Sequence, residues 1–212
     1  MPADAAAFLA ALDADWARLV AQVGPCAHQA KPMREPYEAL VRAVAYQQLH
    51  VKAGDAILAR LLALHPQRAF PSPAQLLGAG FDSLRDCGFS ARKIETIRGI
   101  AAATLDGTVP DLATALVLPD EELIARLCAL KGIGRWTVEM FLIYSLDRPD
   151  ILPVDDFGVR EGYRLLKSLD TAPAPKALAA LGAAWSPHRT AAAWYLWRVP
   201  RPPKAKLRRT AG

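Results

Sequence analysis

A chain of 212 residues, 52% of them hydrophobic, is long enough for one sizeable core or two small lobes, and no apolar run approaches the ~20 residues that cross a bilayer, so a membrane-spanning role is excluded. Cys26, Cys87 and Cys128 and the histidines His28, His50, His65 and His188 are scattered singly, which supplies neither a disulfide framework nor a zinc site; the cysteines read as small buried residues. The last fifteen residues, "RVPRPPKAKLRRTAG", hold six basic side chains and no acid, more than the whole net charge of +5, so the remaining chain stands at −1.

From the amino end, "MPADAAAFLAALDADW" carries acids where a secretory signal needs a basic region, so the protein is expected to stay in the cytoplasm. "AAFLAALDADWARLVAQV" has apolar residues at helical spacing and reads as one helix, followed by "EPYEALVRAVAYQQL", "KAGDAILARLLAL" and "RKIETIRGIAAATL". Ser90 in "FSARKIETI" is the expected N-cap of the last of these, and "LPDEELIARL" opens on a proline and three acids, as the positive end of a helix dipole favours. The breaks "GPCAHQAKP", "HPQRAFPSP", "GTVPD", "LDRPDILPVD" and "TAPAP" are rich in Gly, Pro or Asp and read as short connections. No strand alternation is sustained, so the expected fold class is all-α, with roughly ten short helices and no internal repeat. Trp16, Trp185 and Trp194 fit core positions on amphipathic helices.

"LKGIGRWTVEM", Leu130 to Met140, is a tighter feature. Gly132 and Gly134 can both take positive φ, Ile133 can pin the turn into the core, and the helix that follows would aim its unpaired amides at an anion. With "DEELIARLCAL" before it, the stretch completes a helix-hairpin-helix, which grips a DNA backbone without reading bases; a bare G-x-G also serves as an ordinary helix C-cap. Further on, "ILPVDDFGVREGY" is a Pro-containing loop ending in two aspartates at a helix start, where a carboxylate acts either as an N-cap or as a charged group at a site.

"EALVRAVAYQQLHVKAG", "GFSARKIETIRGIA", "ALKGIGRWTVEM", "LPVDDFGVR" and "WSPHRTAAAWYLW", in this order over about residues 36 to 198, resemble the helix-hairpin-helix DNA glycosylases with a Gly/Pro-rich loop and a catalytic aspartate, and within them the 3-methyladenine DNA glycosylase II group. The resemblance implies two helical lobes with the active-site cleft between them. One lobe is expected from about 1–44 plus 157–200 and a central one from about 45–156, without an amino-terminal β domain and with a basic flexible tail at 201–212.

It also implies removal of alkylated purines such as 3-methyladenine and 7-methylguanine from double-stranded DNA, by a monomer associated with the nucleoid. Asp156, just before "FGVR", is then the catalytic residue, with Asp155 a neighbour. Trp136 and Trp197 are the expected base-stacking partners, with Tyr46 and Phe157 behind them and Met140 widening the pocket where some relatives have an aromatic. Gln48 matches the side chain that fills the hole left by a flipped base, and His50 is expected beside it in the minor groove. Gly132, Ile133, Gly134, Arg135 and Lys93 are expected against DNA phosphates; for Lys93 and Arg92 plain surface charge is the alternative.

Relatives that also cut the strand have a lysine at position 136, where this chain has tryptophan, so no strand cleavage is expected. No cofactor is expected either: four suitably spaced cysteines for an iron–sulfur cluster are missing, and a monovalent cation at the hairpin is the one ion the resemblance allows. Two other readings remain open, a glycosylase for a deaminated or etheno base and a DNA-binding module without chemistry.

Overall fold

The computed structural model describes residues 3–29, 33–65 and 70–200; the basic tail at 201–212 lies outside the described residues. Among the described residues the chain forms thirteen α-helices, one 3-10 turn and no strand. It divides into two compact units, residues 1–28 with 149–212 and residues 29–148.

The first unit holds α1 (Ala3–Ala10), α2 (Ala14–Val23), α11 (Phe157–Leu166), α12 (Pro175–Gly182), the 3-10 turn Ala183–Trp185 and α13 (Arg189–Leu196). The opening stretch expected as one helix is two, because the Asp13 carboxylate accepts from the Asp15 and Trp16 amides and so caps a new helix in place of continuing the old one. Trp16 and Trp185, 1% and 3% exposed, meet edge to face at the centre with Trp194 nearby, as their spacing predicts. Lys167 at the end of α11 reaches both Asp13 and Asp15, tying α11 to α2. Gly162 lets α11 press against α13, since a Cβ there would run into the Leu196 carbonyl.

The second unit holds α3 (Pro36–Tyr46), α4 (Val51–Ala63), α5 (Pro73–Gly78), α6 (Phe81–Asp86), α7 (Ala91–Leu105), α8 (Leu112–Val117), α9 (Asp120–Cys128) and α10 (Arg135–Tyr144). α7 is its axis, with Ile94, Ile97 and Ile100 at most 1% exposed on one face; α3, α5 and α6 pack on it, and α10 joins α3 to α9. Each fully buried side chain of this size contributes roughly 1.5–3 kcal/mol.

The division falls at 28/29 and 148/149, not near 44/45 and 156/157. Leu40, Val41 and Val44 carry α3 wholly into the second core. The loop before Asp156 belongs instead to the first unit, because the Ile151 amide donates to Oγ1 of Thr190 on α13 (3.0 Å) and the Thr190 amide donates back to the Pro149 carbonyl (3.1 Å).

Candidate active site

In the first unit a hydrogen-bonded loop leads to one carboxylate. Asp150 accepts from the Arg189 amide and guanidinium and from Ser186 Oγ. Burial alone would raise its pKa, but these donors outweigh it and hold the carboxyl below the usual aspartate value. The loop then turns, with the Asp156 amide on the Pro153 carbonyl, and Asp156 becomes the N-cap of α11. Its Oδ1 accepts from the Val159 amide (2.9 Å) and from Trp197 Nε1–H (2.9 Å). A half-buried carboxylate at a helix amino terminus is thereby fixed in direction.

Trp197, the residue after α13, was expected as a stacking face, and the structure gives its indole N–H to Asp156. Gly158 makes that bond possible: a Cβ there would stand 2.9 Å from Trp197 Cδ1 and 3.0 Å from Asp156 Oδ1. Asp155 is exposed and Phe157, 69% exposed, projects from the first turn of α11.

In the second unit, the stretch from Leu130 to Gly134 joins α9 to α10. Ile133 is 5% exposed and pins the turn, as expected. The two glycines differ. Gly132 has φ +85° and sits so close to Thr96 on α7 that no Cβ fits; Gly134 has φ −95°, an ordinary value, and open space where a Cβ would be. Of the two glycines able to take positive φ, Gly132 alone does so, and at Gly134 the missing side chain leaves the amino end of α10 uncovered.

Two expected phosphate contacts are otherwise engaged. Arg135 forks onto Glu121 (2.7 and 3.2 Å) and reaches the buried Glu139 (2.9 Å), so it braces α10 against α9, its charge already matched. Lys93, at the start of α7 beneath its Ser90 cap, is partly buried and donates to the Ala45 and Gln47 carbonyls (3.0 and 2.9 Å) at the end of α3. Burial pushes its pKa below the ordinary lysine value. A helix leaves such carbonyls unpaired, and the nearest ammonium claims them.

A recess of about 960 Å³ in this unit is lined by Tyr46, Gln47, Gln48, His50, Trp136, Met140 and their neighbours. Trp136 is 44% exposed, and Gln48 and His50 are exposed at the α3–α4 connection. Gln48 adopts φ +57°, a left-handed conformation that costs a residue with a side chain about 1–3 kcal/mol and persists where its surroundings enforce it. Tyr46 lies on Gly54 of α4, which has no room for a Cβ, and donates its hydroxyl to Asp55 (2.5 Å). So Tyr46, Gln48, His50, Trp136 and Met140 are gathered in the second unit, and Asp156, Phe157 and Trp197 in the first.

Gln47, Gly54, Asp55 and Gly158 were not anticipated. A glycine within the α4 pattern of "KAGDAI" and one directly after "DDF" were the available signals. All three cysteines are free thiols, and no group of three or more His, Cys, Asp or Glu stands together for a metal among the described residues. No helix among them is long and apolar enough to cross a membrane.

The profile described as HhH-GPD superfamily base excision DNA repair protein matches residues 41–188. The chain is 47% identical over 192 residues to DNA-3-methyladenine glycosylase 1 of Schizosaccharomyces pombe, covering 90% of this chain and 84% of that protein. A solved structure of a 3-methyladenine DNA glycosylase from the same yeast, in complex with abasic DNA, superposes with TM-score 0.84 at 46% identity and covers 92% of this chain and 95% of that one. A DNA-3-methyladenine glycosidase structure from Bacillus halodurans gives TM-score 0.81 at 34% identity, over 92% and 88% of the two chains.

Proposed function

This chain belongs to the HhH-GPD superfamily of base excision DNA repair proteins, and we propose that it is an N-glycosylase that removes alkylated purines, 3-methyladenine and 7-methylguanine, flipped out of double-stranded DNA. The observation that carries the chemistry is Asp156, held at the amino end of α11 by the Val159 amide and the Trp197 indole. Breaking the bond between base and sugar gives C1′ oxocarbenium character, and a carboxylate of fixed direction stabilises that cation and orients the attacking water. The electrons of the glycosidic bond leave with the base, which departs neutral, and water supplies the hydroxyl that C1′ gains while its other proton passes by way of the Asp156 carboxylate to solvent.

The hairpin grips the backbone through the amides at the start of α10, where Gly134 leaves room for a phosphate. Gln48 takes the place of the extruded base, with His50 beside it in the minor groove. Trp136, Tyr46 and Met140 offer flat or polarisable faces to a base, Trp136 the most exposed of them. With tryptophan at 136 there is no amine for a Schiff base, so the product is an intact strand with an abasic site. The reaction as proposed draws on no metal or organic cofactor and is carried out by a monomer acting on chromosomal DNA at the nucleoid.

The test is incubation of the purified protein with duplexes that each carry one defined lesion, followed by an assay for abasic sites. Abasic sites at 7-methylguanine in the presence of EDTA are expected. Tight DNA binding with no abasic product would favour a non-catalytic binding module instead.

A further inference from the structure

Three segments that are far apart in sequence close into one circuit in the second unit. Lys93, on the first turn of α7, holds the Ala45 and Gln47 carbonyls at the end of α3. Gln47 Nε2 in turn donates to the Gly132 carbonyl of the hairpin at 3.3 Å. Gly132 is seated against Thr96, one turn beyond Lys93 on α7, closely enough to exclude a Cβ. Thr96 is itself 4% exposed and bonded to the Arg92 carbonyl (3.0 Å), so this seat is held in place. Gln48 follows directly after the doubly tethered Gln47, with its backbone in the left-handed region.

We propose that Lys93 and Gln47 are positioning residues that lock the Gln48 connection to the hairpin, so that the grip on the phosphates and the push on the base act as one. The proposal rests on the reading of Gln48 as the side chain that fills the gap. A base leaves a paired stack only at a cost, so a connection free to bend back would yield before the base did. Fixing it during folding removes the ordering cost from the moment of extrusion. Lys93 suits the task because its partly buried ammonium bonds two carbonyls of the same turn at once. The two tethers act only through Gln48, so their loss matters where a base must be driven out of a pair and not where it is already unpaired.

The experiment is single-turnover excision of 7-methylguanine from a fully paired duplex and from a single strand of the same sequence. It compares the unaltered protein with Lys93→Met, Gln47→Leu, Gln48→Ala and the Lys93→Met/Gln48→Ala double variant, with DNA affinity and melting temperature measured for each. Lys93→Met is expected to slow excision from the duplex by about tenfold while single-strand rates and duplex affinity stay within about twofold. Gln47→Leu should show the same pattern at about threefold, and being a single surface tether it supports the test should Lys93→Met fold poorly. The double variant should be no slower than Gln48→Ala alone.

Equal losses on both substrates, or effects that add in the double variant, would overturn the proposal. A duplex-specific defect in Gln48→Ala with unimpaired Lys93→Met and Gln47→Leu would overturn it while leaving the gap-filling reading intact. An unimpaired Gln48→Ala would overturn both, and no excision by the unaltered protein would overturn the proposed activity itself.

Discussion

Asp156 is distinguished from Asp155 by what holds it, and the difference sets how each responds to substitution. Asp156 Oδ1 has two donors in fixed directions, whereas Asp155 is exposed. Asp156→Asn removes the negative charge that opposes the sugar cation and is expected to lower excision by about two to three powers of ten or more, with duplex affinity retained. Asp155→Asn should stay near the unaltered rate, and matching losses in the two variants would show that the wrong aspartate has been chosen. Trp197→Phe keeps an aromatic ring but deletes the N–H, so excision should fall by about tenfold or more at unchanged affinity.

The leaving base raises a second residue-scale question. Glycoside hydrolysis ordinarily pairs one carboxylate with a general acid, and Glu139, within "RWTVEM", is by sequence either a candidate for that acid or a structural partner of a neighbouring arginine. It is 1% exposed and bound to Arg135, so its place in the structure is as a partner of that arginine. Purines alkylated at N3 or N7 already carry positive charge and depart neutral, without a proton donor. Excision of 3-methyladenine and 7-methylguanine should therefore exceed that of hypoxanthine or 1,N6-ethenoadenine, with no decline on the alkaline side of the pH–rate profile. Similar rates on charged and neutral lesions, falling at high pH, would reveal an acid not yet identified.

At the scale of elements, the hairpin shows what spacing conveys and what it leaves out. "KGIG" announced a tight turn with Ile133 inward, and both hold, but sequence alone cannot distinguish a glycine required by its backbone from one required by the space around it. Gly132→Ala forces a left-handed φ and a collision with Thr96, so it should cost about 1–3 kcal/mol in melting experiments, and more if α7 cannot shift. Gly134→Ala should lose less than about 1 kcal/mol of stability yet weaken binding to all duplexes alike, since its Cβ occupies the approach to the α10 amides. Unchanged affinity in Gly134→Ala would leave the hairpin a structural turn. The same limit explains Lys93 and Arg135: a basic residue at a helix start looks like a phosphate contact until the carbonyls of Ala45 and Gln47, or the carboxylates of Glu121 and Glu139, are brought beside it by the fold. Helix periodicity likewise placed α3, α4 and α7, whereas the break between α1 and α2 depended on which way one carboxylate, Asp13, turned.

For the whole molecule, the all-α class and the core tryptophans were legible because apolar spacing repeats over whole helices, so single misread residues average out. Unit boundaries were not, because they depend on which core claims α3 and the Pro149–Asp156 loop, a matter of contacts between segments remote in sequence. Charge is the one global property that sequence states outright. Of the six basic residues near the carboxyl end, Arg198 is accounted for in the first unit, its guanidinium 3.7 Å from the Trp194 ring centroid and bonded to the Trp194 carbonyl. Arg201, Lys204, Lys206, Arg208 and Arg209 remain, and without them the chain has no net charge. Nonspecific attraction to DNA is therefore expected to draw on this segment, while the hairpin contributes oriented amides whose effect on phosphate is local. Each tail charge that neutralises a phosphate releases a counterion and steepens the dependence of log affinity on log salt by about 0.9. Deleting 201–212 should accordingly flatten that slope by up to about four to five and lower affinity most at low salt, while lesion preference and the single-turnover rate at saturation persist. An unchanged slope, measured by titrating labelled duplex from low to physiological salt, would mean that the grip is local to the folded units and that the tail charges serve no DNA contact.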